Sequence, residues 1–145
     1  MRRINHSTTG RIVLDSLGDT ATDKKIFVRD WEIQLFAAAL GFELKKKDSL
    51  GDINPGGGID FDTFTTSGVW PGFINCLSLV EKGNPDVLCS NEVCDEDRVK
   101  LFEQYAEGGF SQIDTCGLQE MDVISFADYV IKIAEKDPEG LPPQA

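Results

Sequence analysis

The sequence contains a single histidine, His6, and this scarcity limits the catalytic chemistry that the chain can carry. A serine or cysteine nucleophile activated by histidine would have to use His6. That residue lies in a short polar stretch, and its composition predicts disorder over residues 1–10. The sequence also lacks a Gly-x-Ser-x-Gly motif and the Gly-Lys-Ser/Thr ending of a P-loop. No catalytic residues are therefore predicted, and whether the protein is an enzyme stays open.

Long apolar runs are also absent. No run approaches the roughly 20 residues that span a bilayer, and the first seven residues lack the apolar core of a signal peptide. We therefore expect a cytoplasmic protein with no membrane partner. In that compartment Cys76, Cys89, Cys94 and Cys116 are expected to be free thiols. They form only one loosely spaced pair, which disfavours a zinc site, and no metal or cofactor is predicted.

Positive charge is scarce outside the first third of the chain. The net charge is −11, although residues 1–50 hold nine Lys and Arg against seven Asp and Glu. An acidic surface argues against broad DNA binding, while it suits contact with a basic protein. A local basic patch is the exception, and it would leave direct DNA contact open. Its candidate members are Lys24, Lys25, Arg29, Lys45, Lys46 and Lys47.

The spacing of apolar residues predicts a mainly α protein, with an α+β fold as the alternative. We expect a compact single domain of about four helices with one or two short strands. The predicted helices run from about Asp30 to Gly41, from Pro71 to Gly83, from Asp95 to Gly108-Gly109 and from Leu118 to Glu135. The candidate strands are residues 11–14 and 59–64. The globular domain is predicted over residues 11–136, followed by a flexible, proline-rich tail at 137–145.

The last predicted helix is apolar on more than one face. Its apolar residues form two neighbouring rows at helical spacing. The second of these rows consists of Ile124, Ala127, Ile131 and Ala134. So wide an apolar surface suits a central helix or a helix shared with a partner, which could be a second copy of the chain. The candidate partner surface is the first row, Val123, Phe126, Val130 and Ile133.

A metal-dependent nuclease is one alternative function. Such enzymes need clustered carboxylates and often a nearby lysine. Glu43 and Lys45 have a suitable local spacing, and Asp60 or Asp62 could join them. An acidic DNA mimic, or an inhibitor of a nucleic-acid enzyme, is a second alternative, because residues 51–145 hold eighteen Asp and Glu against five Lys and Arg.

Three segments, at residues 35–42, 73–88 and 101–110, resemble the DNA phosphorothioation (Dnd) system-associated protein 4 family. These are small bacterial proteins encoded beside DNA phosphorothioation genes, and the likeness spans roughly residues 25–115. The resemblance implies a role in bacterial defence linked to modified DNA. Together with the lack of a catalytic set and the acidic second half of the chain, it leads us to expect an accessory, non-catalytic subunit of a DNA-modification and restriction system for anti-phage defence. It also implies a protein partner from the same operon, and it transfers no catalytic residues.

Overall fold

The computed structural model describes residues 3–18, 27, 29–53, 58–65, 70–89 and 91–135. These residues confirm a mainly helical single domain. The described ranges contain six α-helices, namely α1 (Thr8–Leu17), α2 (Asp30–Glu43), α3 (Phe61–Thr65), α4 (Trp70–Lys82), α5 (Glu92–Cys116) and α6 (Val123–Glu135). Two short 3-10 turns lie at Pro85–Leu88 and Leu118–Glu120.

The N-terminal segment is part of the fold, so the predicted disorder of residues 1–10 is wrong for residues 3–10. Ile4 is fully buried and forms an antiparallel bridge with Ile59 through backbone hydrogen bonds of 2.8 and 2.9 Å. Ser7 caps α1, because its Oγ accepts from the N–H of Gly10 at 3.0 Å. The strand predicted at residues 11–14 is a part of α1. Local composition could not reveal these contacts with distant residues.

Helices α2 and α5 pack backbone to backbone at the centre of the domain. Gly41 lies inside α2, and Gly108 and Gly109 lie inside α5, so these glycines do not end their helices as predicted. A Cβ at Gly109 would lie 2.5 Å from the carbonyl carbon of Ala37, and one at Gly41 would lie 3.0 Å from that of Tyr105. The glycines are therefore required by close approach, and α5 ends only at Gly117, whose φ is +65°.

Aromatic residues from several elements complete the core around Phe102 of α5. The Phe102 ring lies 5.7 Å from the Phe64 ring and 6.2 Å from the Phe73 ring. Phe64 belongs to α3, so the strand predicted at 59–64 is wrong apart from the bridge at Ile59. Phe64 is buried and Phe61 is half-buried against the core, and a helical turn rather than an alternating strand places them there.

The predicted C-terminal helix is interrupted. Residues 118–120 form a 3-10 turn, and α6 starts at Val123 after Asp122, whose side chain accepts from the N–H of Ser125 at 2.7 Å. Phe126 packs α6 onto Phe36, at a ring distance of 5.5 Å. The predicted tail at residues 137–145 lies outside the described residues.

None of the described helices combines the length and the apolar composition needed to cross a membrane.

Candidate functional site

The described members of the predicted basic patch lie at opposite ends of α2. Arg29 precedes the helix, whereas Lys45, Lys46 and Lys47 follow it. A helix of 14 residues is about 20 Å long at about 1.5 Å per residue. The structure therefore does not bring Arg29 together with the lysines. Lys24 and Lys25 lie outside the described residues.

Lys47 takes part in a network that joins the end of α2 to α4 and α5. Its Nζ donates to Glu81 Oε1 at 2.7 Å, and the Tyr105 hydroxyl donates to Glu81 Oε2 at 2.6 Å. The hydrogen bonds from Lys47 and Tyr105 lower the pKa of Glu81. Burial and the Glu81 carboxylate raise the pKa of Tyr105 to about 12. The charge of Lys47 is thus committed to an internal contact.

An arginine-rich cleft that the sequence did not predict lies beside the start of α2. It has a volume of about 500 Å³ and is open to solvent. Its charged lining residues are Arg3, Arg11, Arg29, Asp30 and Asp60. Carboxylates balance much of the positive charge: Arg3 pairs with Asp60 at 3.1 Å and Arg11 with Asp30 at 3.2 Å. The arginines lie far apart in the sequence, so charge spacing along the chain could not identify the cleft.

The carboxylates proposed for a nuclease do not form a metal site. Glu43 ends α2, while Asp60 and Asp62 lie at the start of α3, where Asp60 pairs with Arg3. Across the described ranges, no group of three or more His, Cys, Asp or Glu side chains is placed to hold a metal ion. The arrangement of these residues therefore gives the nuclease alternative no support.

Two of the four cysteines are bonded to each other, so the prediction of four free thiols is wrong. Cys89 and Cys94 form a disulfide that links the end of the first 3-10 turn to the first turn of α5. Cys76 is a free, exposed thiol, and Cys116 is free and half-buried. As a disulfide, Cys89 and Cys94 cannot offer the thiolates that a zinc site needs.

Buried polar side chains attach the N-terminal segment to α2 and α5. Ser7 donates its hydroxyl proton to Glu107, and the Asn5 N–H donates to Glu103 Oε2 at 2.5 Å. Gln34 donates to the carbonyl oxygen of Asn5 at 3.0 Å. Glu103 and Glu107 are only 3% and 7% exposed. Two carboxylates of the acidic half are therefore withdrawn from any DNA-mimicking surface.

His6 lies in the same region and is only 1% exposed, so it belongs to the folded domain and not to a disordered N-terminus. Neither ring nitrogen has a hydrogen-bond partner among the described residues. Burial, followed by the nearby Arg11 charge, lowers the pKa of His6 and keeps the ring neutral. Burial also raises the pKa of Glu107. This enclosed cluster is a structural link between elements rather than an accessible reaction site.

The predicted partner surface on α6 is divided between core and solvent. Phe126 is 5% exposed and belongs to the core, and Val130 and Ile133 pack against that core. Val123 is exposed, together with Ile124 and Ile131 of the other row. We call Val123, Ile124 and Ile131 the exposed apolar face of α6. This face shares only Val123 with the predicted row. Sequence periodicity found both rows but not which one faces inward.

A second cleft, here called the Ser78 cleft, lies between α4, the first 3-10 turn and α5. Its volume is about 200 Å³. Its lining residues are Ser78, Lys82, Asp86, Val87, Cys94, Asp97, Arg98 and Leu101. Arg98 holds the wall in place, because it donates to the carbonyl oxygens of Val87 at 2.5 Å and of Cys89 at 3.1 Å. Ser78 Oγ is buried and has no hydrogen-bond partner among the described residues.

Comparison with known protein families decides the affiliation of the chain. The model of the family described as DNA sulphur modification system-associated protein 4 matches residues 3–134. The chain belongs to this family. No curated protein and no solved structure matched the chain.

The model of the DNA sulphur modification system-associated protein 4 family covers nearly all of the described residues. The predicted likeness spanned residues 25–115, whereas the family model extends from residue 3 to residue 134. The N-terminal segment with His6, the Ser78 cleft and nearly all of α6 are thus within the matched part. The family description associates the chain with a DNA sulphur modification system, and it names no reaction.

Proposed function

We propose that the protein is an accessory, non-catalytic subunit of a bacterial DNA phosphorothioation-linked defence system. It acts in the cytoplasm by binding another protein encoded in the same operon. The family match over residues 3–134 carries this proposal, because it associates the chain with DNA sulphur modification.

The exposed apolar face of α6 supports binding by protein contact. Ile124 is 82% exposed, and Val123 and Ile131 are each 52% exposed. Phe126 anchors the helix in the core on the side away from Ile124 and Ile131, so these outward side chains are held on a fixed element. Apolar side chains grouped on one helix face lose unfavourable water contact when a partner covers them. A second copy of the chain is the alternative occupant.

Co-purification with the products of the neighbouring modification genes tests the proposal. The double variant Ile124→Asp/Ile131→Asp lowers the charge by two on this face, and we expect at least a tenfold loss of partner binding. Lys132→Asp changes the charge by the same amount on the same helix and at an exposed position. This control is expected to bind normally.

Failure to recover any operon protein with the wild-type chain would contradict the proposed function. If Lys132→Asp weakens partner binding as much as the double variant does, the change in charge alone accounts for the loss of binding. The exposed apolar face of α6 would then no longer support the proposed function. Light scattering of the purified wild-type chain distinguishes self-association, which the double variant would abolish.

A further inference from the structure

The disulfide between Cys89 and Cys94 lies at the surface of the domain. It joins the end of the first 3-10 turn to the first turn of α5, and both cysteines are half-buried. Their chain neighbours Leu88 and Val93 are 40% and 71% exposed. The bond is therefore placed where a dissolved thiol can approach it, unlike a disulfide enclosed in a core.

Stabilisation of the fold explains this disulfide poorly. The two cysteines are five positions apart, so the bond closes a short loop and restricts the unfolded chain little. Arg98 already ties the same turn to α5, because it donates to the carbonyl oxygens of Val87 at 2.5 Å and of Cys89 at 3.1 Å. The covalent bond thus duplicates a connection that hydrogen bonds also make.

The same hydrogen bonds keep the two sulfur atoms close when the bond is open. Arg98 holds the backbone of Cys89 beside α5, and Asn91 caps α5 by accepting from the Cys94 N–H at 2.9 Å. The Asn91 side-chain amide also lies 3.2 Å from Cys89 Sγ. Groups that are held near each other react at a high effective concentration, so a reduced pair is arranged to close again.

The compartment indicates what such a pair does, and this step rests on the proposed function. That function is exercised in the cytoplasm, where disulfides are rare and are usually transient, catalytic or redox-sensing when they occur. The free thiols expected from the sequence and the bond found between Cys89 and Cys94 are then two states of one pair.

We propose that Cys89 and Cys94 form a reversible thiol–disulfide site, which fixes the turn at residues 85–89 against α5 when oxidised and loosens it when reduced. Low-molecular-weight thiols and protein dithiols are the class of reductant. Because Val87 and Cys94 both line the Ser78 cleft, loosening the turn also loosens one wall of that cleft.

The chemistry is thiol–disulfide exchange in two steps. A thiolate attacks one sulfur of the bond, a mixed disulfide forms as the Cys89–Cys94 bond breaks, and the other cysteine leaves as a thiolate. A second thiolate attacks the mixed disulfide, which releases the oxidised reductant and the remaining cysteine thiolate. Two thiols thus supply two electrons, and their protons pass to the two cysteines. Exchange with a low-molecular-weight disulfide runs the same steps in reverse.

Mixtures of reduced and oxidised glutathione test the reversibility on purified full-length protein. The variant Cys76→Ser/Cys116→Ser removes the two free thiols, so only the pair takes part. Alkylation and mass spectrometry measure the bonded fraction, and circular dichroism monitors the fold. We expect about 5 mM reduced glutathione to open most of the bond in the folded protein, and excess oxidised glutathione to restore it. A bond that stays closed, or a pair that does not close again, would overturn the proposal.

Hydrogen exchange measures whether the turn loosens. The Cys89 N–H donates to the Asp86 carbonyl oxygen at 3.2 Å, so its exchange reports on the turn. Reduction is expected to speed this exchange at least about fivefold and to leave the amides of α2 unchanged. The same rate in both states would show that the bond controls no movement and would refute the switch.

Two variants test whether Arg98 holds the pair together. Arg98→Met removes the contacts with the turn, so the equilibrium constant for closing the bond in a fixed glutathione mixture should fall at least about threefold. Lys100→Met, at an exposed position of the same helix, should leave that constant unchanged. An unchanged constant in Arg98→Met would refute the positioning role.

The outcomes separate this inference from the proposed function, because these assays use no operon protein. A reversible pair without recovery of a partner would contradict only the proposed function. An inert disulfide in a chain that does recover its partner would contradict only the thiol–disulfide site.

Discussion

The contact between α2 and α5 predicts that alanine at Gly109 strongly destabilises the protein. An added Cβ would lie 2.5 Å from the carbonyl carbon and 2.8 Å from the Cα of Ala37, and still closer to the carbonyl oxygen. Ordinary contacts of a Cβ begin at 3.4 Å, so the two helices would have to separate locally by more than about 1 Å. The obstructing atoms are backbone, and no side-chain rotation relieves the overlap.

The cost can be estimated from the response of packed interiors. Overpacking a core costs about 1–3 kcal/mol, and a backbone obstruction lies at or above the upper end of that range. Helix propensity acts in the opposite direction, because alanine is favoured over glycine by about 1 kcal/mol. We therefore expect Gly109→Ala to lower the free energy of unfolding by at least about 2 kcal/mol net. For a domain of this size, that corresponds to a decrease in Tm of roughly 4–8 °C.

Gly72 provides a matched control, because it also lies in a helix and meets no atom within 4 Å of an added Cβ. Gly72→Ala should therefore raise the free energy of unfolding by about 0.4–1 kcal/mol, since alanine restricts the unfolded chain and favours the helix. Urea unfolding followed by circular dichroism measures both variants. A Gly109→Ala variant as stable as the wild type would refute the close approach of α2 and α5.

Three further predictions concern other groups in the core and at its edge. Folding lowers the pKa of His6, so as the pH falls His6 of the unfolded chain is protonated near pH 6.5, whereas His6 of the folded protein is protonated only at a lower pH. Stability should thus fall below that pH, and His6→Phe should flatten urea midpoints measured from pH 7 to 5. Glu81→Gln should bring the pKa of Tyr105 below about 12 in a spectrophotometric titration, and an unchanged pKa would refute the contact. Reducing the Cys89–Cys94 disulfide should cost no more than about 2 kcal/mol by the loop-entropy relation, because the ring closes few residues; urea unfolding with and without reductant measures the loss.

Local patterns in the sequence predicted the helical class and much of α2, α4 and α5. The same patterns misplaced the features that depend on distant contacts. Gly108 and Gly109 favoured a helix end because an isolated helix gains nothing from glycine, and only Ala37 and Lys46 across the interface explain their presence. The burial of His6 likewise depends on residues about 100 positions away, which local composition cannot reveal.

The candidate sites were harder to predict than the fold, for a related reason. The spacing of charged residues predicted one basic patch that contains Arg29 and the lysines at the other end of α2. In the structure Arg29 lies beside Arg3 and Arg11 instead. On α6 the sequence identified two apolar rows, but the choice between them depended on the contact of Phe126 with Phe36. A site is assembled by tertiary contacts, so a sequence pattern can supply its members without showing which of them meet.

The three segments that resemble the family have different roles in the structure. Residues 35–42 lie in α2 and residues 101–110 in α5, and they contain the alanine and glycine positions at which these two helices touch. Their pattern is thus accounted for by the steric demand of helix packing, and it carries no chemistry. Residues 73–88 have a further role, because Ser78 and Val87 line a cleft between α4 and α5 that Leu101 of the third segment also lines. The second and third segments therefore meet at this cleft, whereas residues 35–42 contribute to helix packing.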